Sequence, residues 1–231
     1  MTRSAEQVTR HDAAPACPVL YSFRRCPYAM RARMALAVSG QRHAHREVLL
    51  RDKPPEMIAA SPKATVPVLQ FDDGTVQEES LDIMLWTLKR NDPEHWLTPQ
   101  NDTLDDMLAL IAEADTDFKH HLDRYKYTTR YEDSTDPVHH RTQGMAFLER
   151  LDRRLEQSAF LFGDRPALTD YAIFPFVRQF ANTDRSWFDR QPAPRLHAWL
   201  NGLLNSGLFE HIMRKYPVWS AGDEELYPSL P

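Results

Sequence analysis

The first half of the chain alternates short apolar runs with stretches that repeat apolar residues at helical spacing. Short apolar runs bounded by turn residues are typical of buried strands, whereas the helical repeat is typical of helices that pack on one side. The predicted elements are, in chain order, a strand at residues 19–23, a helix at 27–39, a strand at 45–50, a short helix at 54–60, strands at 66–71 and 75–77, and a helix at 80–89. This βαβ unit followed by a ββα unit predicts an α/β domain.

A tight turn and a helical crossover indicate how these strands pair. Asp73 and Gly74 separate the last two apolar runs, and this dipeptide between such runs is a strong hairpin signal. The last two strands are therefore expected to be antiparallel. The first two strands are joined through a helix, which is typical of parallel neighbours, so the sequence predicts one mixed sheet of four strands.

The second half of the chain lacks strand signals. Residues 91–102 are polar, contain proline and are predicted to be a linker. Beyond them, apolar residues recur at helical spacing within residues 107–118, 145–155 and 196–203. The chain is therefore predicted to divide into a disordered leader at residues 1–17, an α/β domain at 18–90, the linker at 91–102, and an all-helical domain at 103–231 that ends in a tail packed over the body.

The composition is that of an ordinary globular protein, with 42% hydrophobic and 26% charged residues in a chain of 231. A formal net charge of −5 argues against a general nucleic-acid binder and against a basic protein of the membrane surface. No apolar run is long enough to span a bilayer, and the N-terminus lacks the apolar core of a secretion signal. Two cysteines are too few for a disulfide framework, so the expected location is the reducing cytoplasm.

Cys26 stands where the first apolar run gives way to the first helical stretch. Pro27 fits the first turn of a helix, where the N–H that it lacks would be unpaired, and this makes Cys26 the expected cap. The helix N-terminus favours a thiolate, and Arg24 and Arg25 add positive potential. Because Ala29 stands where a dithiol motif would carry its second cysteine, Cys26 is expected to react with an external thiol such as glutathione. The alternative is a buried, inert cysteine.

The sequence gives no signal for a metal site. Its ten histidines include three close pairs, which are His43 with His45, His120 with His121, and His139 with His140. Adjacent histidines on a helix point in different directions, and no cysteine or acidic partner repeats at ligand spacing. The chain also lacks the nucleophile elbow of a serine hydrolase and a phosphate-binding glycine loop. We therefore expect a protein without a metal ion.

Three short motifs resemble the N-terminal domain of glutathione transferases. They are Cys-Pro-Tyr-Ala at residues 26–29, Ala-Thr-Val-Pro-Val-Leu at 64–69 and Glu-Glu-Ser-Leu-Asp-Ile at 78–83. Their order and spacing are most similar to the cysteine-type omega class, and residues 26–34 are also similar to glutaredoxins of the glutathione-transferase fold. Asp-Tyr-Ala-Ile-Phe-Pro at 170–175 resembles the matching C-terminal domain. The resemblance covers roughly residues 18–215 and implies a thioredoxin-like domain followed by an all-helical one.

The resemblance implies a glutathione site around Cys26, the catalytic residue. In the family, the peptide bond that follows the residue at Val66 is usually cis, and the backbone N–H and C=O of this residue pair with the cysteinyl part of glutathione like an added strand. Glu79 and Ser80 would bind the γ-glutamyl group at a helix start, with its carboxylate on Ser80 and its ammonium near Glu79. Lys53 would contact the glycyl carboxylate. Taken alone, these residues also fit a strand entry, a helix cap and a solvent-exposed lysine.

Other side chains in the sequence offer alternatives. Some glutathione transferases hold the glutathione thiolate with a Tyr or Ser hydroxyl, so Tyr21, Ser22 and Tyr28 are further catalytic candidates. Tyr21 and Ser22 lie in the predicted first strand, where packing is the better explanation. The aromatic and basic segment at residues 118–131 fits two interpretations: a wall for the second substrate, or part of the core.

The sequence therefore predicts a glutathione transferase that performs thiol transfer or glutathione-dependent reduction through a mixed disulfide between Cys26 and glutathione. The expected partners are glutathione and a small-molecule disulfide or electrophile, with no nucleic acid and no membrane, and the resemblance implies a homodimer. Conjugation of glutathione to electrophiles is the second enzymatic alternative. The third is a non-catalytic binding or regulatory protein of the same fold.

Overall fold

One mixed sheet of four strands forms the centre of the N-terminal half. The computed structural model describes residues 17–131 and 136–229. Its strands are β1 (Val19–Ser22), β2 (Ala44–Glu47), β3 (Val68–Gln70) and β4 (Val76–Gln77), in the order β2-β1-β3-β4. β1 is parallel to β2, and β3 is antiparallel to both β1 and β4. The predicted mixed sheet is confirmed, although each strand is shorter than the apolar run that predicted it.

Three helices pack on the sheet: α1 (Pro27–Val38), α2 (Pro55–Ala60) and α3 (Ser80–Leu88). Successive side chains of a strand point to opposite faces, so the two faces of β1 enter different apolar clusters. Leu20 packs with Leu36 of α1 and Ile83 of α3. Tyr21 belongs to the other cluster, with Met57 of α2. The sheet is thus covered on both faces.

Beyond α3, the regular elements of the described chain are helices, joined by loops. They are α4 (Leu104–Glu113), a π-helical turn (Ala114–Phe118), α5 (Lys119–Lys126), α6 (Pro137–Arg154), α7 (Leu168–Ala181), α8 (Arg185–Phe188), α9 (Pro194–Leu204) and α10 (Gly207–Ile212). The large core of this half also contains Met30 and Met34 of α1. Since α1 packs on the sheet as well, it is buried between the two halves, which explains why even its Arg31 and Arg33 side chains are inaccessible to solvent.

A buried carboxylate organises the start of α7. Asp170 accepts hydrogen bonds from the backbone N–H of Ala167 at 2.9 Å, the backbone N–H of Leu161 at 3.0 Å and the indole N–H of Trp199 at 2.8 Å. Burial raises the pKa of Asp170 to about 6, while these three donors act in the opposite direction. The residue therefore has a structural role, because its oxygens are used to join the helix to a loop and to α9.

The C-terminal tail packs along the outer strand β2, as the sequence predicts. The backbone N–H of His45 donates to the carbonyl of Leu226 at 2.7 Å. Arg46 forms an ion pair with Glu225 and lies over the ring of Trp219 at 3.9 Å. The tail thereby covers a strand edge that would otherwise offer unpaired backbone groups.

Two further expectations concern the chain ends and the membrane. Of the leader predicted at residues 1–17, only Cys17 belongs to the described part, and the rest lies outside the described residues.

Among residues 17–131 and 136–229, no helix combines the length and the apolar character needed to cross a membrane.

Candidate functional site

A pocket of about 580 Å³ opens at the N-terminal end of α1. This volume falls within the range of small-molecule sites. The pocket brings together all five residues that the sequence singles out, which are Cys26, Lys53, Val66, Glu79 and Ser80. Its lining also includes side chains that the sequence did not single out, among them Arg31, Leu50, Lys63 and Asp115.

Cys26 occupies the N-cap position of α1, with extended backbone angles of φ −74° and ψ 123°. Pro27 follows as the first helical residue, as predicted. The Cys26 side chain forms no capping hydrogen bond, and its S–H instead points to the carbonyl of Val66 at 3.7 Å. The peptide bond between Val66 and Pro67 is cis, as the family resemblance implies. The thiol therefore lies beside the backbone expected to receive an extended ligand.

The helix start favours the thiolate of Cys26, as expected, but burial outweighs it in the ligand-free protein. Burial is the dominant influence and raises the pKa of Cys26 above its ordinary value. The backbone N–H groups of Tyr28 and Ala29 act in the opposite direction, followed by the cations Arg33 and Lys119. The net effect is that the pKa of the Cys26 thiol lies above its ordinary value, which favours the protonated thiol.

Alkylation kinetics test this protonation state. In a Cys17→Ser variant, we expect the rate of Cys26 modification by iodoacetamide to rise through neutral pH and to reach half of its maximum above the ordinary thiol pKa of about 8.5. The same protein unfolded in urea serves as the control, and its midpoint should lie at that ordinary value. A midpoint below about pH 7 in the folded protein would mean that the thiolate is stabilised after all.

A buried arginine connects three parts of the pocket. The Nε of Arg31 donates to the Ser80 hydroxyl at 2.9 Å, and its Nη1 and Nη2 donate to the two carboxylate oxygens of Asp115 at 2.9 and 2.6 Å. Arg31 is only 3% exposed. The fork of two parallel hydrogen bonds fixes both the distance and the orientation of the pair. Helix α1, the start of α3 and the π-helical turn are thereby held in one arrangement.

The remaining charges of the pocket differ in how far they are already paired. Glu79, at the N-cap of α3, forms an ion pair with Lys63 at the pocket rim. Lys53, by contrast, forms no ion pair with any residue in the described part of the chain. The Ser80 hydroxyl accepts from Arg31, so its own proton is left to donate to a ligand. The lining of the pocket thus includes both a cation, Lys53, and a helix N-terminus with a hydroxyl, Ser80.

The alternative catalytic hydroxyls separate into two groups. The Tyr21 hydroxyl accepts from Arg46 at 2.6 Å, and the Ser22 hydroxyl accepts from Arg33 at 2.6 Å, and both residues are fully buried. Their roles are therefore structural, as their place in a strand suggested. Tyr28 alone among the three lines the pocket, and burial raises the pKa of its phenol well above the ordinary value.

The aromatic segment at residues 118–131 contributes some side chains to the core and at least one to the surroundings of the pocket. Phe118 stacks on Phe147 with ring centroids 4.8 Å apart, and Tyr125 packs against Phe180 at 5.1 Å, so these two aromatics belong to the core. The adjacent Lys119 reaches towards the site, with its ammonium 5.6 Å from the ring of Tyr28.

Comparisons with known proteins agree with this fold. The family model for the glutathione S-transferase N-terminal domain matches residues 20–96, and the model for the C-terminal domain matches residues 94–202. The chain therefore belongs to the glutathione S-transferase superfamily of enzymes. It is 28% identical over 220 residues to glutathione S-transferase omega-1 of Mus musculus, a match that covers 90% of this chain and 84% of the relative. This similarity makes it omega-like within the superfamily.

Solved structures of other members share the architecture. Glutathione transferase Omega 3C from Trametes versicolor superimposes with a TM-score of 0.72 at 20% identity, over 88% of this chain and 92% of that one. A glutathione transferase from Pseudomonas putida superimposes with the same score of 0.72 at 18% identity, over 87% and 92% of the two chains. That protein was crystallised with one glutathione disulfide bound per subunit.

Proposed function

We propose that this protein is a cysteine-dependent thiol transferase that uses glutathione as its co-substrate. The observation that carries the proposal is the position of Cys26. Its sulfur lies at the start of α1, 3.7 Å from the Val66 carbonyl, in the same pocket as the four residues expected to bind glutathione. A nucleophilic sulfur placed beside a binding groove is the arrangement that thiol–disulfide exchange requires.

The reaction consists of two thiol–disulfide exchanges. In the first, Cys26 attacks the glutathione sulfur of a mixed disulfide, a bond forms between these two sulfurs, and the substrate sulfur leaves. The proton lost by Cys26 matches the proton gained by the leaving thiol. In the second exchange, another glutathione attacks the enzyme–glutathione disulfide, which regenerates Cys26 and releases glutathione disulfide. Because Ala29 stands where a resolving cysteine would be, the second thiol comes from outside the chain.

The pocket charges support one orientation of glutathione. Lys53 would bind the glycyl carboxylate, since its ammonium has no ion-pair partner among the described residues. The Val66 backbone would pair with the cysteinyl residue and bring its sulfur to Cys26. The Ser80 hydroxyl and the N-terminus of α3 would bind the γ-glutamyl carboxylate. Glu79 would take the γ-glutamyl ammonium and exchange its contact with Lys63 for it.

Mass spectrometry of the protein after incubation with glutathione disulfide tests the proposal. We expect one glutathione adduct per chain, at Cys26, and the same adduct in a Cys17→Ser control. A Ser80→Ala variant should still form this adduct but require about tenfold more glutathione for half-maximal turnover, because a hydrogen bond to a charged group is lost. An adduct at Cys17 alone, or none, would contradict the proposal. An unchanged requirement in Ser80→Ala would remove Ser80 from the site.

The protonation state of Cys26 favours a second candidate function, conjugation of glutathione to electrophiles. Because burial raises the pKa of Cys26, its S–H is available to donate a hydrogen bond to a bound glutathione thiolate. The Tyr28 hydroxyl lines the same pocket and is a second donor of this kind. In that case Cys26 would hold the attacking sulfur of glutathione and would not form a disulfide with it.

We also propose a cellular location, a second substrate and an oligomeric state for the protein. Both cysteines are free thiols, which fits the reducing cytoplasm. The second substrate is proposed to be a small-molecule disulfide or electrophile, and a homodimer is proposed from the family resemblance.

A further inference from the structure

A group of imidazoles lies between the helices α5 and α6, apart from the pocket around Cys26. His120 and His121 belong to α5, and His140 lies in the first turns of α6. One nitrogen from each of the three rings can be chosen so that all three lie within 4.8 Å of one another. His120 and His121 line an open cavity that shares none of its lining residues with the Cys26 pocket.

The spacing of the rings is close to that of a metal ligand set. Nδ1 of His121 lies 2.8 Å from Nδ1 of His140. Two imidazole nitrogens bound to a tetrahedral zinc ion at 2.0–2.1 Å are about 3.3 Å apart. An ion would therefore need this pair to open by about half an ångström, and any wider separation within the 4.8 Å span of the three nitrogens to close. A metal ion binds neutral imidazole.

Two charged residues near the histidines have opposite effects on a cation bound there: one attracts it and the other repels it. Asp117 lines the same cavity one helical turn before His121, and its carboxylate attracts positive charge at that ring. Arg124 donates to Nδ1 of His120 at 3.0 Å and places a positive charge beside that ring. His121 and His140 therefore form the centre of the cluster, with His120 as the third and more exposed member.

We propose that His120, His121 and His140 bind a divalent transition-metal ion such as Zn²⁺, with its open coordination position towards the cavity. Imidazole ligands suit zinc, copper and nickel, whereas magnesium and calcium prefer oxygen ligands. Three histidines leave a fourth position for water or a small ligand. This site is separate from the proposed thiol chemistry and does not depend on it.

Calorimetric titration with ZnCl₂ tests the proposal. The protein is used as the full chain without a polyhistidine tag, and Cys17→Ser and Cys26→Ser remove the thiols that would compete for zinc. We expect one zinc ion per chain, and a loss of at least about tenfold in affinity in His121→Gln and in His140→Gln. His139→Gln is the matched control, since this exposed neighbour on α6 lies outside the cluster, and its affinity should be unchanged.

A second measurement reports the ligands directly. Visible absorption of bound Co²⁺ responds to the number and type of its ligands, so we expect bands that His121→Gln removes and His139→Gln keeps. Since His140 is buried, His140→Gln is used only if its circular dichroism matches that of the parent protein, and the half-buried His121 otherwise decides. The absence of saturable zinc binding would overturn the proposal. So would equal affinity in the parent protein and in His121→Gln.

Discussion

Replacing Cys26 by serine should reduce thiol transfer by at least about a thousandfold. A serine hydroxyl cannot form a disulfide, so the proposed intermediate is lost and only the uncatalysed exchange remains. The assay measures glutathione-dependent reduction of a small mixed disulfide by wild type, Cys26→Ser and the matched Cys17→Ser variant. We expect Cys17→Ser to keep nearly full activity, because Cys17 precedes β1 and does not line the pocket.

Wild type, Cys26→Ser and Cys17→Ser together distinguish thiol transfer, conjugation to electrophiles and binding without catalysis. If Cys26→Ser keeps most of the thiol transfer, the mixed-disulfide mechanism is excluded. If conjugation to an electrophile survives or increases in Cys26→Ser while thiol transfer disappears, the serine hydroxyl is holding the glutathione thiolate, and conjugation is a genuine second activity. If wild type shows neither activity, the protein is better described as a binding member of the superfamily.

Replacing Asp115 by alanine should lower the free energy of unfolding by about 2 kcal/mol, less than for a fully buried ion pair because the Asp115 side chain is 22% exposed. Arg31 is 3% exposed, and both of its terminal nitrogens donate to Asp115. Without that carboxylate, the two terminal nitrogens of Arg31 lose their acceptor while the side chain stays buried. Urea unfolding measures the change as a shift in the transition midpoint.

A double variant serves as the control for this experiment. In Arg31→Leu with Asp115→Leu, both charges are removed together, so we expect most of the lost stability to return. The double variant should nevertheless bind glutathione less well than wild type, because Ser80 loses the donor that orients its hydroxyl. If the single and double variants are equally destabilised, the defect comes from lost packing and not from the unpaired charge.

The sheet and most of the pocket could be predicted because their signals are local in the sequence. Asp73 and Gly74 specify a hairpin by themselves, and Pro27 marks the helix start whatever surrounds it. Cys26, Val66 and Ser80 each sit at the junction of two elements, so their positions follow once the elements are known.

The Arg31–Asp115 pair could not be predicted in this way. The two residues are 84 positions apart, and nothing in the sequence near either one indicates the other as its partner. Asp115 belongs to a π-helical turn, whose irregular geometry has no clear signal in the apolar repeat from Met107 to Phe118. The partner of a buried charge is decided by the packing of the two halves.

The histidine cluster and the pKa of Cys26 likewise depend on the packing of segments that are distant in the sequence. Neighbouring histidines in the sequence indicate only the geometry within one helix, whereas the packing of α5 beside α6 places His121 against His140. The motif at Cys26 indicates a helix start with nearby arginines, but it carries no information on the depth of the pocket. Burial depends on chain segments far from Cys26 in sequence, and it reverses the direction of the shift.

The burial of α1 between the two halves affects the reactivity of the Cys26 sulfur at its N-terminus. Cys26 is only partly exposed in its pocket, so a brief local opening between the halves would hydrate its sulfur further and weaken the main influence that raises its pKa. The sulfur would then be most nucleophilic during such local openings. The Arg31–Asp115 pair joins the two halves beside this pocket and thereby limits how far the hydration of the sulfur can change.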